Sequence, residues 1–184
     1  VDQAAPPTGR PGRIDPGFNL AGSARRPSWW GGDRLRLLDA INVCVTELMG
    51  GRALSPDEEP ARQLYEYLLA NSPAPSYPAL PMTVVREISD LGIHNGDPTA
   101  GQVVWTLACF RCHGAIRTGS GRISERAGIV PNDTVTTFGA EARAAVVEKV
   151  RHGKFLNVGG TMPFYALETL SDQQLVDLLA YLGL

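Results

Sequence analysis

Cysteine, histidine and lysine are all scarce in this chain. Its 184 residues include 3 Cys and 3 His. Only Lys149 and Lys154 are lysines; the other basic side chains are arginines. Three cysteines make no disulfide framework. Cys44, His94 and His152 stand singly, so a zinc site built from ligand pairs at short spacing lacks its second pair. No apolar run approaches the roughly 18 residues of a membrane-spanning helix. The net charge of −2 gives no sign of a nucleic-acid or membrane-surface partner. Residues 96–184 carry 8 basic and 8 acidic side chains, so a docking face there has to come from local arrangement. Hydrophobic content of 43% is that of a globular protein with one domain or two small ones. The 20 Gly and 14 Pro point to much loop. The chain opens at Val1, which leads us to expect a mature exported protein whose leader has been removed.

Against this scarcity, two of the three cysteines and one histidine fall within five residues. Cys109-Phe110-Arg111-Cys112-His113 reads C-x-x-C-H, the attachment signature of a c-type haem. The two thiols add across the haem vinyl groups, and the imidazole becomes the proximal iron ligand. Positions i, i+3 and i+4 of a helical turn share one face, which brings the three side chains to one porphyrin edge. A thioredoxin-like C-x-x-C would need a surrounding βαβ pattern, and none is present. One covalent haem c is therefore expected. With two lysines in the chain, a lysine-rich ring around the haem edge is excluded.

Periodicity predicts helices throughout and no strands. After an irregular Pro-, Gly- and Arg-rich lead-in over 1–32, Asp33 is the expected N-cap of a helix to about Met49. Its apolar face carries Leu37, Ile41, Val45 and Leu48, with Cys44 alongside. Ser55 and Glu58 have capping-box spacing before a second helix through Leu64 and Leu68. The Pro-rich stretch 71–81 reads as a linker. Asp97 is placed to cap a helix leading to Cys109, and 114–138 reads as mostly loop. A helix spans about 140–153, and Ser171 and Gln174 cap a last helix through Leu175 and Leu182. The segment 54–70 faintly repeats 170–182, which suggests two related units.

From Gly101 onward the sequence resembles a class I cytochrome c. The resemblance rests on Gly101 and Trp105 before the haem motif, on Val150-Arg151-His152-Gly153-Lys154, on Met162-Pro163, and on Leu170-Ser171-Asp172 opening the last helix. It implies an all-α haem domain over 91–184 in which the first and last helices cross, with Gly101 close to the Tyr181 end. Met162, 49 residues beyond His113, is the expected distal ligand, because a soft uncharged thioether suits iron cycling between Fe(II) and Fe(III). His152 is the competing ligand, though a solvated helix-end histidine is the plainer expectation; His94 reads as a turn residue. In the family a proline carbonyl after the motif accepts the proximal Nδ1–H, and Pro131 is the candidate.

Residues 1–90 read as a small, degenerate, haemless cytochrome-like unit. Its stretch from Ile41 to Gly51 resembles dihaem sulfur-oxidation cytochromes and thiosulfate dehydrogenases, where a Cys in this context ligates the first haem. No C-x-x-C-H stands upstream of Cys44 here. The expected function is single-electron transfer between periplasmic redox proteins by an exported monohaem cytochrome. The alternative is a component that oxidises thiosulfate or a related sulfur anion through Cys44, with Arg25 or Arg26 holding the anion.

Overall fold

The structure, a computed structural model, describes residues 12–80, 82–83, 95–153 and 161–184. His94 and Lys154 lie outside that set. The described residues are helical without a strand; one isolated antiparallel bridge pairs Trp29 with Arg34. The helices are α1 (Leu37–Val43, continued by a π-helical turn Cys44–Leu48), α2 (Glu59–Ala70), α3 (Pro98–Val104, continued by a π-helical turn Trp105–Cys109), α4 (Phe110–His113), α5 (Asn132–Phe138), α6 (Ala142–His152) and α7 (Asp172–Leu182). The all-α expectation holds.

Two caps form as local chemistry dictates. Asp97 accepts from Thr99 N at 2.8 Å, with Pro98 at the first helical position, where its missing N–H costs nothing. Ser171 and Gln174 complete a reciprocal capping box at the start of α7. Two others differ from expectation. Asp33 follows a 3-10 turn at Trp30–Gly32, and α1 begins only after Arg36. Glu58 reaches back to Ser55 N at 2.8 Å, but the Ser55 hydroxyl does not close the box, and α2 starts after Glu58. Helix α5 falls where loop was expected. Its Thr-rich sequence has weak helix propensity, and a local turn before it compensates, with Asp133 accepting from Ile129 N at 2.7 Å and its own N–H donating to Ile129 O at 2.8 Å.

α3 and α7 form the closest helix pair. A Cβ on Gly101 would lie 2.6 Å from the Asp177 carbonyl carbon and 2.8 Å from Tyr181 Cβ, so only glycine permits the crossing. The buried Asp177 carboxylate accepts from Asp97 N at 2.9 Å and tethers the start of α3 to α7. Gly101→Ala should gain about 1 kcal/mol in helix propensity. Overpacking against rigid backbone should cost roughly 3 kcal/mol, so the crossing wins. Urea unfolding is expected to show a net loss of about 2 kcal/mol; an unchanged midpoint would mean the helices can slide apart freely.

The N-terminal segment is tied down more firmly than a loose lead-in. Gly22 N donates to Asn71 O at 3.0 Å, and Ala24 N to the fully buried Ser72 Oγ at 3.2 Å. Asn42 on α1 pairs both ways with the Leu54 main chain, at 3.0 and 2.7 Å. This unit also touches the C-terminal half. Ile14 N donates to Leu107 O at 3.1 Å, Thr83 Oγ1 to Glu168 at 2.6 Å, and the Trp30 ring packs on Phe164. α1 and α3 both run into a π-helical turn that contains a cysteine, but α4, α5 and α6 stand between α3 and α7. α1 and α2 do not make the close crossing of α3 and α7.

Candidate haem site

The haem motif lies where α3 passes through its π turn into α4. Phe110 N donates to Trp105 O, five residues back; such turns recur at functional sites. Cys109 is buried and Cys112 exposed, and both thiols are free. Burial, reinforced by the neighbouring Cys112, pushes the Cys109 thiol up to about 12. A redox-active C-x-x-C needs a depressed thiol pKa, so the environment of Cys109 is the wrong one for thiolate exchange. Among the described residues, no three His, Cys, Asp or Glu side chains converge on a metal position.

His113 ends α4 half-buried, its ring 6.1 Å from that of Trp105. Its Nδ1 lies 2.9 Å from Gly128 O. A carbonyl only accepts, so Nδ1 carries the proton and Nε2 keeps its lone pair, the tautomer an iron ligand requires. The acceptor is Gly128 and not Pro131, whose carbonyl takes Val135 N at 2.8 Å in the first turn of α5. This corrects the expectation. The chain returns from Gly114 through a compact turn, in which Ile123 N donates to Cys112 O at 3.0 Å, and so brings position 128 under the imidazole. The bond is main-chain on its acceptor side, and no residue type announces it.

Met162 is half-buried against the core cluster that contains Trp105 and Cys109. Its backbone rests on the end of α6. Gly153 has φ +55°, and a Cβ there would fall 2.6 Å from Phe164 N and 2.7 Å from the Pro163 carbonyl carbon. Tyr165 then anchors the exit of the loop. Its N–H donates to Val150 O at 2.8 Å and its hydroxyl to Ala108 O at 3.1 Å, one residue before the motif. Burial pushes the Tyr165 phenol pKa up, so the hydroxyl keeps its proton to donate. Arg151, 2% exposed, donates to Tyr165 O and Leu170 O at 3.1 and 2.7 Å and pairs with Asp172 at 2.6 Å. Sequence reasoning named Arg151 only within a motif and missed Tyr165; a buried arginine among carbonyls leaves no local signature.

His152 is buried rather than solvated, with Nδ1 2.8 Å from Glu148 Oε1 on its own helix. Cys44 opens the π turn of the N-terminal helix half-buried, and burial raises its thiol pKa, away from a thiolate. Arg25 is exposed, and Arg26 spends Nη2 on Ala21 O at 2.7 Å. The thiol and the two cations gain no shared contact.

Two free thiols and a histidine with the right tautomer, at positions i, i+3 and i+4 of one helical stretch, fit a covalent haem. Residues 96–182 match the family model described as cytochrome C oxidase, cbb3-type, subunit III. The match spans just under half of the chain. It supports a class I c-type cytochrome domain in the C-terminal half, and with it haem c and electron transfer. The N-terminal resemblance gains no support from it. No curated protein matches the chain. Among the described residues, no helix is long and apolar enough to cross a membrane.

Proposed function

We propose that this chain is an exported monohaem c-type cytochrome that carries single electrons between periplasmic redox proteins. Cys109 and Cys112 form the thioethers, His113 Nε2 is the proximal ligand and Met162 the distal one. The bound haem supplies the Fe(II)/Fe(III) couple; the chain supplies ligand orientation, burial and a docking face. The His113–Gly128 bond is the observation that carries this reading, because it leaves one imidazole nitrogen committed and the other available. A haem held by both His113 and Met162 would offer no open site for substrate chemistry. Residues 1–90 act as a haemless, degenerate cytochrome-like unit docked on the haem domain at 91–184.

Partner choice follows from local charge. Between Phe110 and Arg126 the chain carries Arg111, Arg117, Arg122 and Arg126 against Glu125 alone. Phe110 and Ile123 are exposed beside them. An apolar centre rimmed by arginine suits a redox protein with an acidic patch, although the whole chain is net negative.

The test is an absorption spectrum of the purified protein, oxidised and dithionite-reduced, with pyridine haemochrome quantification. One haem c per chain, and the weak long-wavelength charge-transfer band of Met-ligated Fe(III), are expected. Haem removable by acid-acetone would overturn covalent attachment, and a thiolate-type oxidised spectrum would return Cys44 to consideration.

A further inference from the structure

Trp30 occupies a backbone position that its side chain makes costly. Its φ is +53°, and Gly31 and Gly32 follow at +65° and +91°. A bulky residue in the left-handed region persists only where its surroundings hold it there. Two contacts do so. The indole Nε1 donates to Ala40 O of α1 at 3.1 Å, and the ring lies 5.6 Å from the Phe164 ring, tilted by 52°. That separation and tilt are favourable for an aromatic pair.

Phe164 is 5% exposed and stands two residues after Met162. On one side its main chain rests on Gly153; on the other its ring meets Trp30. The Met162-Pro163-Phe164 segment is therefore gripped between the end of α6 and the N-terminal unit. We propose that Trp30 is a positioning residue for the distal ligand. The N-terminal unit, through Trp30 braced on α1, clamps Phe164 and keeps the Met162 sulfur from leaving the iron. This rests on the reading of Met162 as distal ligand, and it gives the haemless half of the chain a role in the redox site.

The test uses the full haem-loaded protein, with imidazole as the probe that competes with the Met162 sulfur. Loss of one aromatic pair shifts the fraction of chains with an open loop about tenfold, and apparent imidazole affinity rises by the same factor. Trp30→Ala is expected to show that rise and a weaker Met-to-iron charge-transfer band, and Trp30→Phe an intermediate effect, since it keeps a ring against Phe164 but loses the bond to Ala40 O. Ser72→Ala is the control. It loosens the N-terminal unit at the Ala24 and Leu68 hydrogen bonds without touching Phe164. An equal rise in Ser72→Ala would mean general loosening and would overturn the clamp.

Met162→Ala separates the two claims. If it leaves imidazole affinity unchanged, Met162 is not the ligand and the clamp falls with that assignment. If it raises affinity while Trp30→Ala does not, the ligand stands and the clamp alone is wrong. In the Met162→Ala background, Trp30→Ala is expected to add nothing further, the coupling expected of residues acting through one contact.

Discussion

Met162→Ala is expected to lower the reduction potential by about 0.1–0.2 V, within the roughly 0.8 V over which axial ligands move haem potentials. The haem should stay covalently bound. A thioether is a soft, weak donor that favours Fe(II) over Fe(III). Alanine leaves that position to water or an added base, which favours Fe(III). Equilibrium redox titration reads the shift, and haemochrome quantification should be unchanged, because Cys109 and Cys112 are untouched. Since Met162 is only half-buried, the fold should tolerate the truncation better than the potential does. A potential unmoved by this change would remove Met162 from the iron.

Arg151→Ala should produce the largest loss of stability, about 3–5 kcal/mol, the usual consequence of deleting one partner from a buried charged network. The guanidinium is almost wholly enclosed, and it satisfies the carbonyls of Tyr165 and Leu170 as well as meeting Asp172. Burial pulls its pKa down, and the Asp172 hydrogen bond opposes that pull. Its removal strands the carbonyls away from water, at about 1–3 kcal/mol for each unsatisfied group. Asp172→Ala removes the same ion pair from the other end. Asp172 is 56% exposed, so solvent screens the charge and the expected loss is about 1 kcal/mol or less. Denaturant unfolding of both variants reads the contrast. Equal losses would mean that the ion pair, and not the carbonyl bonds, holds the distal loop to the start of α7.

Much of the haem site is legible in the chain because its parts are contiguous. Cys109, Cys112 and His113 occupy one turn, and their chemistry follows from residue type and spacing. Caps at Asp97 and Ser171 are likewise decided within a few residues, as is the need for a small residue at Gly101 once two helices are to cross there. The acceptor for His113 was not legible. Any carbonyl can fill that role, so the choice of Gly128 over Pro131 depends on how the 114–131 segment folds back. His152 shows the same limit, since a polar residue near a helix end looks solvated until neighbouring elements cover it. At Asp33 and Ser55 the local cap signal was present, but short main-chain turns, Trp30 to Asp33 and Ser55 to Glu58, stand there and the helices start after them.

The amino-acid sequence by itself determined the all-α class, the C-x-x-C-H motif, and a low, mixed charge that leaves any docking face to local arrangement. These depend on periodicity, spacing and composition, which are properties of neighbours along the chain. Only the tertiary structure decided which carbonyl orients His113, that Arg151 and Tyr165 brace the segment after Met162, and that Trp30 reaches Phe164 from 134 residues away. Those contacts join main-chain atoms and generic aromatic faces across long loops. Their partners are selected by packing geometry, and no local pattern of residue types encodes it.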